Sequence, residues 1–241
     1  NEQRHAAYSN PTNVSPEGRW DYAKYTDKLF YTDAILNYSE NITEDLTFNA
    51  VIGASLQRTT FGDGVRVSTG NPGLFYANEF NFQNVHTSNQ IQSTLSSRVE
   101  KQALFGNFVF GYKNAIFLDV SGRNDYASTL ALTGNESYFY PSYGLSLVLS
   151  ELVTLPDAIS FAKLRVSSAS VGNEVPFNVV NPQNTVTAAG NVSRNTQKPF
   201  TDLEPEMIET TEFGLDLRLL NNRIGIDLAI YDITSTDQFL K

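Results

Sequence analysis

Apolar and polar residues alternate in segments of about ten residues along most of this chain, and the connections between these segments differ in length in an ordered way. Two segments meet at Lys113-Asn114 within residues 104–125 and continue into the polar stretch 121–125. A period of two places neighbouring side chains on opposite faces of a β-strand, so each segment predicts a strand with one apolar and one polar face. The connections run short, long, short, long, intermediate, long, short, and all the short ones can therefore lie at one end of a sheet. This asymmetry is typical of a transmembrane β-barrel.

The pattern predicts an all-β, antiparallel section of a barrel wall with roughly eight strands. The predicted strands are residues 29–39, 45–58, 98–112, 115–125, 138–150, 161–171, 209–220 and 223–233. Loops are predicted for residues 1–28, for about 59–97 and for about 172–206, and one helical turn is predicted at 155–158. Asn221-Asn222 tolerates the positive φ angles of a tight hairpin, which predicts the last turn.

Composition restricts the kinds of site that this chain can carry. Its 241 residues have a formal net charge of −9, which argues against a nucleic-acid partner because phosphate binding needs a basic surface. The absence of cysteine excludes disulfides, thiol catalysis and thiolate metal sites. No run reaches the roughly 18 apolar residues of a membrane-spanning helix. The mean hydropathy of −0.27 is mildly polar, as expected where lumen-facing residues dilute lipid-facing ones.

A soluble extracellular β-sandwich that binds a ligand is the alternative fold, because its strands alternate as well. Two observations favour a membrane wall. The predicted polar faces carry Asp, Arg, Lys and Asn, which suit a hydrated lumen, and aromatic residues gather near strand ends, where an interfacial girdle would lie. These aromatic residues are Tyr112, Phe139, Tyr140, Tyr143 and Tyr231. A section of eight strands leaves two unpaired edges, so we expect the missing strands to come from the same gene product or from neighbouring chains.

Three blocks of the second half resemble the SusC/RagA class of TonB-dependent outer-membrane transporters. They are LDVSGRNDYASTL (118–130) with SYFYPSYGLSLVLSE (137–151), LPDAISFAKLRVSSASVGN (155–173), and LEPEMIETTEFGLDLRLLNNRIGIDLAIYDITSTDQFL (203–240). The resemblance implies a barrel of about 22 strands with short periplasmic turns, long extracellular loops, an internal plug domain and a TonB coupling box. It also implies a SusD-like surface lipoprotein as a lid. We find no plug-like region and no coupling box, so residues 1–241 correspond to a central to late section of the barrel.

The function implied by this resemblance is TonB-dependent import of oligosaccharides or peptides across the outer membrane of a Gram-negative bacterium. The implied partners are the SusD-like lipoprotein, TonB acting through a plug that this chain lacks, outer-membrane lipid and the substrate. We expect no enzyme activity and no cofactor. A passive structural, adhesive or porin-type barrel is the main functional alternative, and an upstream plug and coupling box would separate the two.

Candidate site residues fall into two groups. Aromatic residues of the predicted loops are candidates for contacts with the substrate or the lid, or for packing the loops together: Trp20, Tyr22, Tyr25, Phe75, Tyr76, Phe80 and Phe82. Arg123, Asn124 and Asp125 end a predicted strand, where charge-assisted hydrogen bonds would fix the base of a loop. We predict no catalytic residue: Glu204 and Glu206 flank Pro205 in a stiff segment that does not resemble a glycosidase pair.

No metal site is predicted either. The segment 61–82 is rich in oxygen ligands but lacks the spacing of an EF-hand loop. The two histidines, His5 and His86, are far apart in the sequence.

Overall fold

The computed structural model describes residues 2–8, 16–69, 73–86, 90–94, 96–173, 175–177, 179–180, 182–186, 192–196, 198–200 and 203–238. Strands form a ten-stranded sheet and a separate two-stranded hairpin. The strands are β1 (Glu2–Tyr8), β2 (Arg19–Asn41), β3 (Leu46–Ser68), β4 (Gln90–Thr94), β5 (Ser97–Tyr112), β6 (Ile116–Ala127), β7 (Ser137–Val148), β8 (Ile159–Asn173), β9 (Thr185–Val186), β10 (Val192–Ser193), β11 (Glu206–Leu219) and β12 (Ile224–Thr236). Short helical segments occur at Phe82–Asn84, Ser128–Leu130 and α1 (Leu149–Leu152). In this part of the chain, no helix is long and apolar enough to cross a membrane.

The main sheet is an up-and-down meander. Its strands follow the order β1-β2-β3-β5-β6-β7-β8-β11-β12, with β4 paired to β3, and β9 and β10 form the separate hairpin. Apart from β4 and the β9–β10 hairpin, strands that follow one another in the chain are neighbours in the sheet. The pairings from β5 to β12 are all antiparallel. The predicted all-β antiparallel architecture is confirmed, and it is one continuous sheet rather than the two packed sheets of a sandwich.

The chain divides into two compact units, which we call the loop unit and the wall unit. The loop unit comprises Asn1–Phe30, Gln57–Glu100 and Asn181–Lys198, and the wall unit comprises Tyr31–Leu56, Lys101–Val180 and Pro199–Lys241. The wall unit contains all of β6, β7, β8, β11 and β12. Each of these strands has 12 to 15 residues, enough to cross the hydrocarbon core of a bilayer.

The strands of the wall unit separate two chemically different faces. On the apolar face, one row crosses six strands in register: Phe110, Leu118, Leu145, Val166, Phe213 and Ile230. On the opposite, polar face, the adjacent row consists of Val109, Asp119, Gly144, Ser167, Glu212 and Tyr231. Phe213 and Ile230 are 61% and 77% exposed, so the apolar face is not covered by protein. An apolar outside and a polar inside distinguish a membrane wall from a soluble sheet.

Short turns join the strands at one end of the wall unit, and hydrogen bonds link these turns to one another. Lys113 N donates to Asp45 O at 2.7 Å, and Leu220 N donates to Ala158 O at 2.9 Å. The predicted tight turn at Lys113-Asn114 is confirmed by φ angles of 51° and 52°, which are typical of a type I′ hairpin. The turn after β11 is likewise confirmed: Leu220, Asn221 and Asn222 have φ of 53°, 57° and 63°.

All three predicted long loops contain strands: β1 and the start of β2 lie within 1–28, the end of β3 and β4 within 59–97, and β9 and β10 within 172–206. Residues 19–28 are the first part of β2 and pair with β1, and residues 59–68 continue β3, which also pairs with β4. These strand segments lack an unbroken apolar row, so the pattern that identifies the wall strands is absent from them. Their burial comes instead from a small aromatic cluster within the loop unit. The sheet thus has two strands more than the eight expected.

The predicted helical turn at 155–158 was wrong as well. The helical residues are Leu149–Leu152, and the later segment forms a turn in which Ile159 N donates to Pro156 O at 2.8 Å. Pro156 is the first residue of this turn, and Asp157 and Ala158 are its central residues. Two of the aromatic residues expected in the interfacial girdle, Tyr140 and Tyr231, lie on the polar face.

Candidate functional site

A cluster of charged and aromatic side chains occupies the polar face of the wall unit where β6 approaches its long connection. Arg123 lies opposite Phe105 on one side and Tyr140 on the other, and Asp125 lies opposite Tyr138. Residues two apart on a strand share a face, so Arg123 and Asp125 project together. We call these five residues the Arg123 cluster.

Asp125 is the buried centre of this cluster. Its Oδ1 accepts a hydrogen bond from Arg123 Nε at 2.6 Å, and its Oδ2 accepts one from the Tyr140 hydroxyl at 2.5 Å. The carboxylate side chain is only 9% exposed, whereas the Arg123 side chain is 40% exposed. The Arg123 guanidinium also lies over the Phe105 ring, 5.7 Å from its centroid. The arrangement hides the anion and leaves the cation accessible from the polar face.

Asn124 belongs to the other face of β6. Its side-chain amide donates to Ser137 Oγ at 2.9 Å, and Ala127 N donates to Glu136 O at 3.0 Å. The three consecutive residues predicted at the loop base therefore make contacts on both faces of the sheet. A role for Arg123 and Asn124 in fixing the loop stays a prediction that substitution can test.

A hydrophobic cluster adjoins the loop base and ties two connections together. Leu130 is 1% exposed and packs with Ala127, Tyr138 and Val175, and Leu203 lies against the cluster. Nearby, the side-chain amide of Asn135 donates to Leu203 O at 3.3 Å. The connection between β6 and β7 is thus held to the beginning and the end of the connection between β8 and β11. Sequence reasoning missed this cluster, because its members lie in three separate stretches of irregular sequence.

Burial changes the pKa of two titratable groups, Lys101 and Tyr138. Both lie beyond the end of the apolar face, whose last row contains Phe139. Desolvation by burial lowers the pKa of Lys101, although the nearby Asp125 carboxylate opposes this change. Desolvation by burial raises the pKa of Tyr138, and the same carboxylate acts in the same direction. Both changes have burial as their main cause, because removal from water disfavours the charged form of each group.

Most of the predicted loop aromatics pack together inside the loop unit. Trp20 is 3% exposed and forms a core with Val67, Leu74 and Val85, against which Tyr22 and Phe80 pack. The Phe82 ring lies 5.3 Å from both the Trp20 and Tyr22 rings. Tyr25 lies beside Gly64, where an added Cβ would be 2.5 Å from the tyrosine ring.

Phe75 and Tyr76 are the most exposed of the loop aromatics, at 49% and 70%, compared with 40% for Phe82. Asn84, which is buried, fixes their backbone. Its Oδ1 accepts from Tyr76 N at 2.9 Å, and its Nδ2 donates to Tyr76 O and to Glu79 O, both at 2.7 Å. The Phe75 ring also lies 4.7 Å from the His86 ring. We call Phe75 and Tyr76 the aromatic ledge: two exposed rings on a backbone that is already fixed.

Nearer the short turns, the polar face carries an ion-pair network that spans three strands. Arg165 on β8 contacts Glu212 on β11 at 3.0 Å and Asp227 on β12 at 3.2 Å. The guanidinium crosses Gly214, where a Cβ would lie 2.3 Å from Arg165 Nε. The alternation in the sequence placed these residues on the polar face, but only the register shows which charges meet.

The remaining sequence candidates show no shared site. Glu206 accepts a hydrogen bond from Asn173 at 3.2 Å, and Glu204 is exposed. In the oxygen-rich segment 61–82, Asn71 lies outside the described residues. Among the residues that are described, no group of three or more His, Cys, Asp or Glu side chains is arranged to hold a metal ion.

Comparison with known proteins agrees with this architecture. Residues 2–240 match the family described as TonB dependent receptor-like, beta-barrel. The solved RagAB peptide transporter is 21% identical, with a TM-score of 0.78 over 97% of this chain and 26% of that chain. The RagAB peptide importer in its closed-closed state is 19% identical, with a TM-score of 0.77 over 98% of this chain and 26% of that chain. Its open-open state is 20% identical, with a TM-score of 0.77 over 97% and 26%.

The chain therefore spans about a quarter of the length of the solved transporters that it matches. No curated protein matches the sequence. The expected SusC/RagA-type resemblance is confirmed at the level of family and fold. The chain belongs to the TonB-dependent receptor-like β-barrel family, an outer-membrane family of receptors and transporters.

Proposed function

We propose that this chain is part of the wall of an active importer in the outer membrane of a Gram-negative bacterium, and that its substrates are oligosaccharides or peptides. The polar face lines the lumen, and the apolar face contacts lipid. Energy reaches the barrel from TonB through a plug and coupling box outside residues 1–241. A SusD-like surface lipoprotein captures the substrate and covers the barrel.

The continuous division between an apolar and a polar face is the observation that carries this proposal. Six neighbouring strands keep it in register, from Phe110 on β5 to Ile230 on β12. All of β12 is exposed, and so is β2 along residues 31–41. In lipid, unpaired strand edges are too costly to persist, so further strands of the same barrel pair with both edges. The resulting barrel is wide enough to pass oligomers that small porins exclude.

The aromatic ledge is the proposed outward contact of this section. Phe75 and Tyr76 offer flat rings that can stack on a sugar, on a peptide side chain or on the lipoprotein. Because the backbone is already held by Asn84, binding there loses little conformational entropy. The other loop aromatics, led by the buried Trp20, support the ledge from within the loop unit.

Uptake by the full-length protein in its native membrane tests the function. Labelled peptides and oligosaccharides are expected to enter cells that carry the gene, and entry is expected to stop when TonB is deleted or the proton gradient is collapsed. Uptake that continues without energy would identify a passive barrel instead. Co-purification of a surface lipoprotein from the wild type, weakened in a Phe75→Ala/Tyr76→Ala variant, tests the proposed lid contact.

A further inference from the structure

We propose that Arg123 binds carboxylate groups of substrates that pass along the polar face, and that it gives the transporter a preference for acidic oligomers. This inference rests on the proposed import function and adds a substrate chemistry to it. The ligand class is a short oligomer that carries a carboxylate, whether at a peptide C-terminus, on an acidic side chain or on a uronic acid sugar.

The guanidinium is held in a fixed position before any ligand arrives. Asp125 holds its Nε at 2.6 Å, and the Phe105 ring lies beneath its plane at 5.7 Å. A guanidinium has five N–H donors arranged in a planar fork that matches a carboxylate. The contacts to Asp125 and Tyr140 engage only part of this set, and the side chain is 40% exposed. A fixed and accessible fork of this kind favours bidentate binding of an anion.

The charge balance of the cluster also favours an anion. Asp125 has little exposure to solvent, and both of its oxygens already accept hydrogen bonds. Lys101 and Arg123 both interact electrostatically with this single carboxylate. The second cation means that the Asp125 carboxylate is not reserved for the Arg123 guanidinium alone. Partly desolvated surroundings strengthen the attraction for a ligand carboxylate.

Arg165 on β8 also forms ion pairs on the polar face, but its environment differs from that of Arg123 on β6. Two carboxylates, Glu212 and Asp227, contact it at 3.0 and 3.2 Å. One cation between two anions has no surplus positive charge to offer, so Arg165 is the matched control. The contrast between the two arginines separates a specific carboxylate site from a general effect of removing an arginine from the wall.

A purely structural role for Arg123 predicts different behaviour. If the residue only braces Asp125 and the loop base, its removal would reduce binding of acidic and neutral substrates alike. If it binds carboxylates, its removal would reduce binding of the acidic substrates alone. The ratio between paired substrates is therefore the diagnostic quantity.

The test uses the full-length transporter, purified with any lipoprotein that accompanies it, and two pairs of probes. One pair is a hexapeptide with a free C-terminal carboxylate and the same peptide amidated; the other is an oligogalacturonide and its methyl ester. Equilibrium binding and uptake are measured for wild type, Arg123→Gln, Arg123→Lys and Arg165→Gln. Heat-modifiable migration confirms that each variant is a folded barrel.

We expect Arg123→Gln to weaken binding of the acidic member of at least one pair by roughly tenfold or more, and to leave the neutral member unchanged. Arg123→Lys should restore part of this loss, and Arg165→Gln should retain the wild-type preference. The pair that responds identifies peptide or sugar as the source of the carboxylate. The inference would be overturned if Arg123→Gln weakened binding of the acidic and neutral members equally, or if it left binding of the acidic members unchanged. It would also be overturned if the wild type bound neither acidic probe. Binding with the expected preference but no energy-dependent uptake would overturn the proposed import function alone.

Discussion

The contact between Gly53 and the Phe105 ring provides the sharpest test of the wall packing. A Cβ built on Gly53 would lie 2.3, 2.6 and 3.0 Å from Cζ, Cε2 and Cε1 of Phe105. Such distances do not occur between real atoms, so Gly53→Ala requires the ring to move. The ring supports the Arg123 guanidinium, and its displacement disturbs that contact as well.

The expected effect of Gly53→Ala on the free energy of unfolding is the sum of two destabilising contributions and one stabilising contribution. Forcing the ring off its rotamer costs about 0.5–1.5 kcal/mol. Losing the contact between the guanidinium and the ring costs about 0.5–1 kcal/mol. Replacing glycine restricts the unfolded chain and returns about 0.4–1 kcal/mol. The substitution should therefore lower the free energy of unfolding by about 1 kcal/mol.

A double-mutant cycle with Phe105→Leu measures this effect in the full-length protein. The free energy of unfolding is determined in lipid vesicles by denaturant titration, for both single variants and the double variant. Without the ring, Gly53→Ala should become neutral or stabilising. Gly144→Ala is the control, because Gly144 lies on an interior strand and the nearest atom to its added Cβ is Asp119 Cβ at 3.6 Å, an ordinary van der Waals contact. If Gly53→Ala were equally destabilising in both backgrounds, or harmless in the wild type, the reasoning would be refuted.

Three further substitutions test other parts of the fold. Leu130→Ala removes a fully buried side chain and should cost about 2–5 kcal/mol of local stability. Hydrogen exchange should become faster in residues 128–136 and at Val175, and unchanged exchange would contradict the packing. Leu220→Gly relieves a φ of 53°, which is worth about 1–2 kcal/mol, but the added freedom of the unfolded chain costs about 0.4–1 kcal/mol. The barrel should therefore be stabilised by about 1 kcal/mol, and a lower unfolding midpoint would contradict this reasoning. Asn84→Ala removes the groups that hold the Tyr76 backbone. Hydrogen exchange at residues 76–79 should therefore accelerate while the wall strands stay protected. If residues 76–79 were as protected in the variant as in the wild type, Asn84 would not be what holds this backbone.

The wall was predictable because two sequence signals describe the same geometry there. Alternation assigned Phe213 and Leu215 to one face and Asp216 to the other, and the turn centred on Asn221-Asn222 agrees with the register in which Leu219 pairs with Ile224. A slip of one residue would place charges in the apolar face and leucines in the polar face. For β11 and β12 one register satisfies both signals, and it is the one observed. At the Lys113-Asn114 turn the face alternation decides instead, because Tyr112 pairs with Ile116 and leaves Ala115 as an extra residue.

The loop unit was not predictable in the same way. β2 and β3 extend well past their alternating segments, and this extension is stabilised by contacts between residues far apart in the sequence. Trp20 N donates to Thr69 Oγ1 at 2.7 Å, and the Trp20 ring packs with Leu74 and Val85. Period-two analysis detects a strand from its neighbours along the chain, so it misses a strand whose burial depends on such distant contacts.

The sequence also could not predict which side chains contact each other across neighbouring strands. The loop-base role assigned to Arg123, Asn124 and Asp125 assumed that three adjacent residues act together, whereas the strand places the middle one on the opposite face. Gly214 appeared in the sequence as a small residue on the polar face. Its importance is visible only across strands, because the Arg165 side chain lies over it on the way to Asp227.

The exposed strand β12 limits what can lie beside it in the complete barrel. Its backbone edge must pair with a further strand, since lipid cannot satisfy the backbone groups. Its apolar row, which includes Ile226 and Ile230, requires an apolar row on that strand, because polar side chains there would face lipid. On the polar face, Asp227 is paired with Arg165 and its side chain remains 65% exposed. Asp216 of β11 already lies directly opposite Asp227, and a second acidic residue opposite it on the next strand would be further destabilising. We therefore expect the residue that faces Asp227 from the next strand to be neutral or basic, so that the polar network beginning on β8 continues around the lumen.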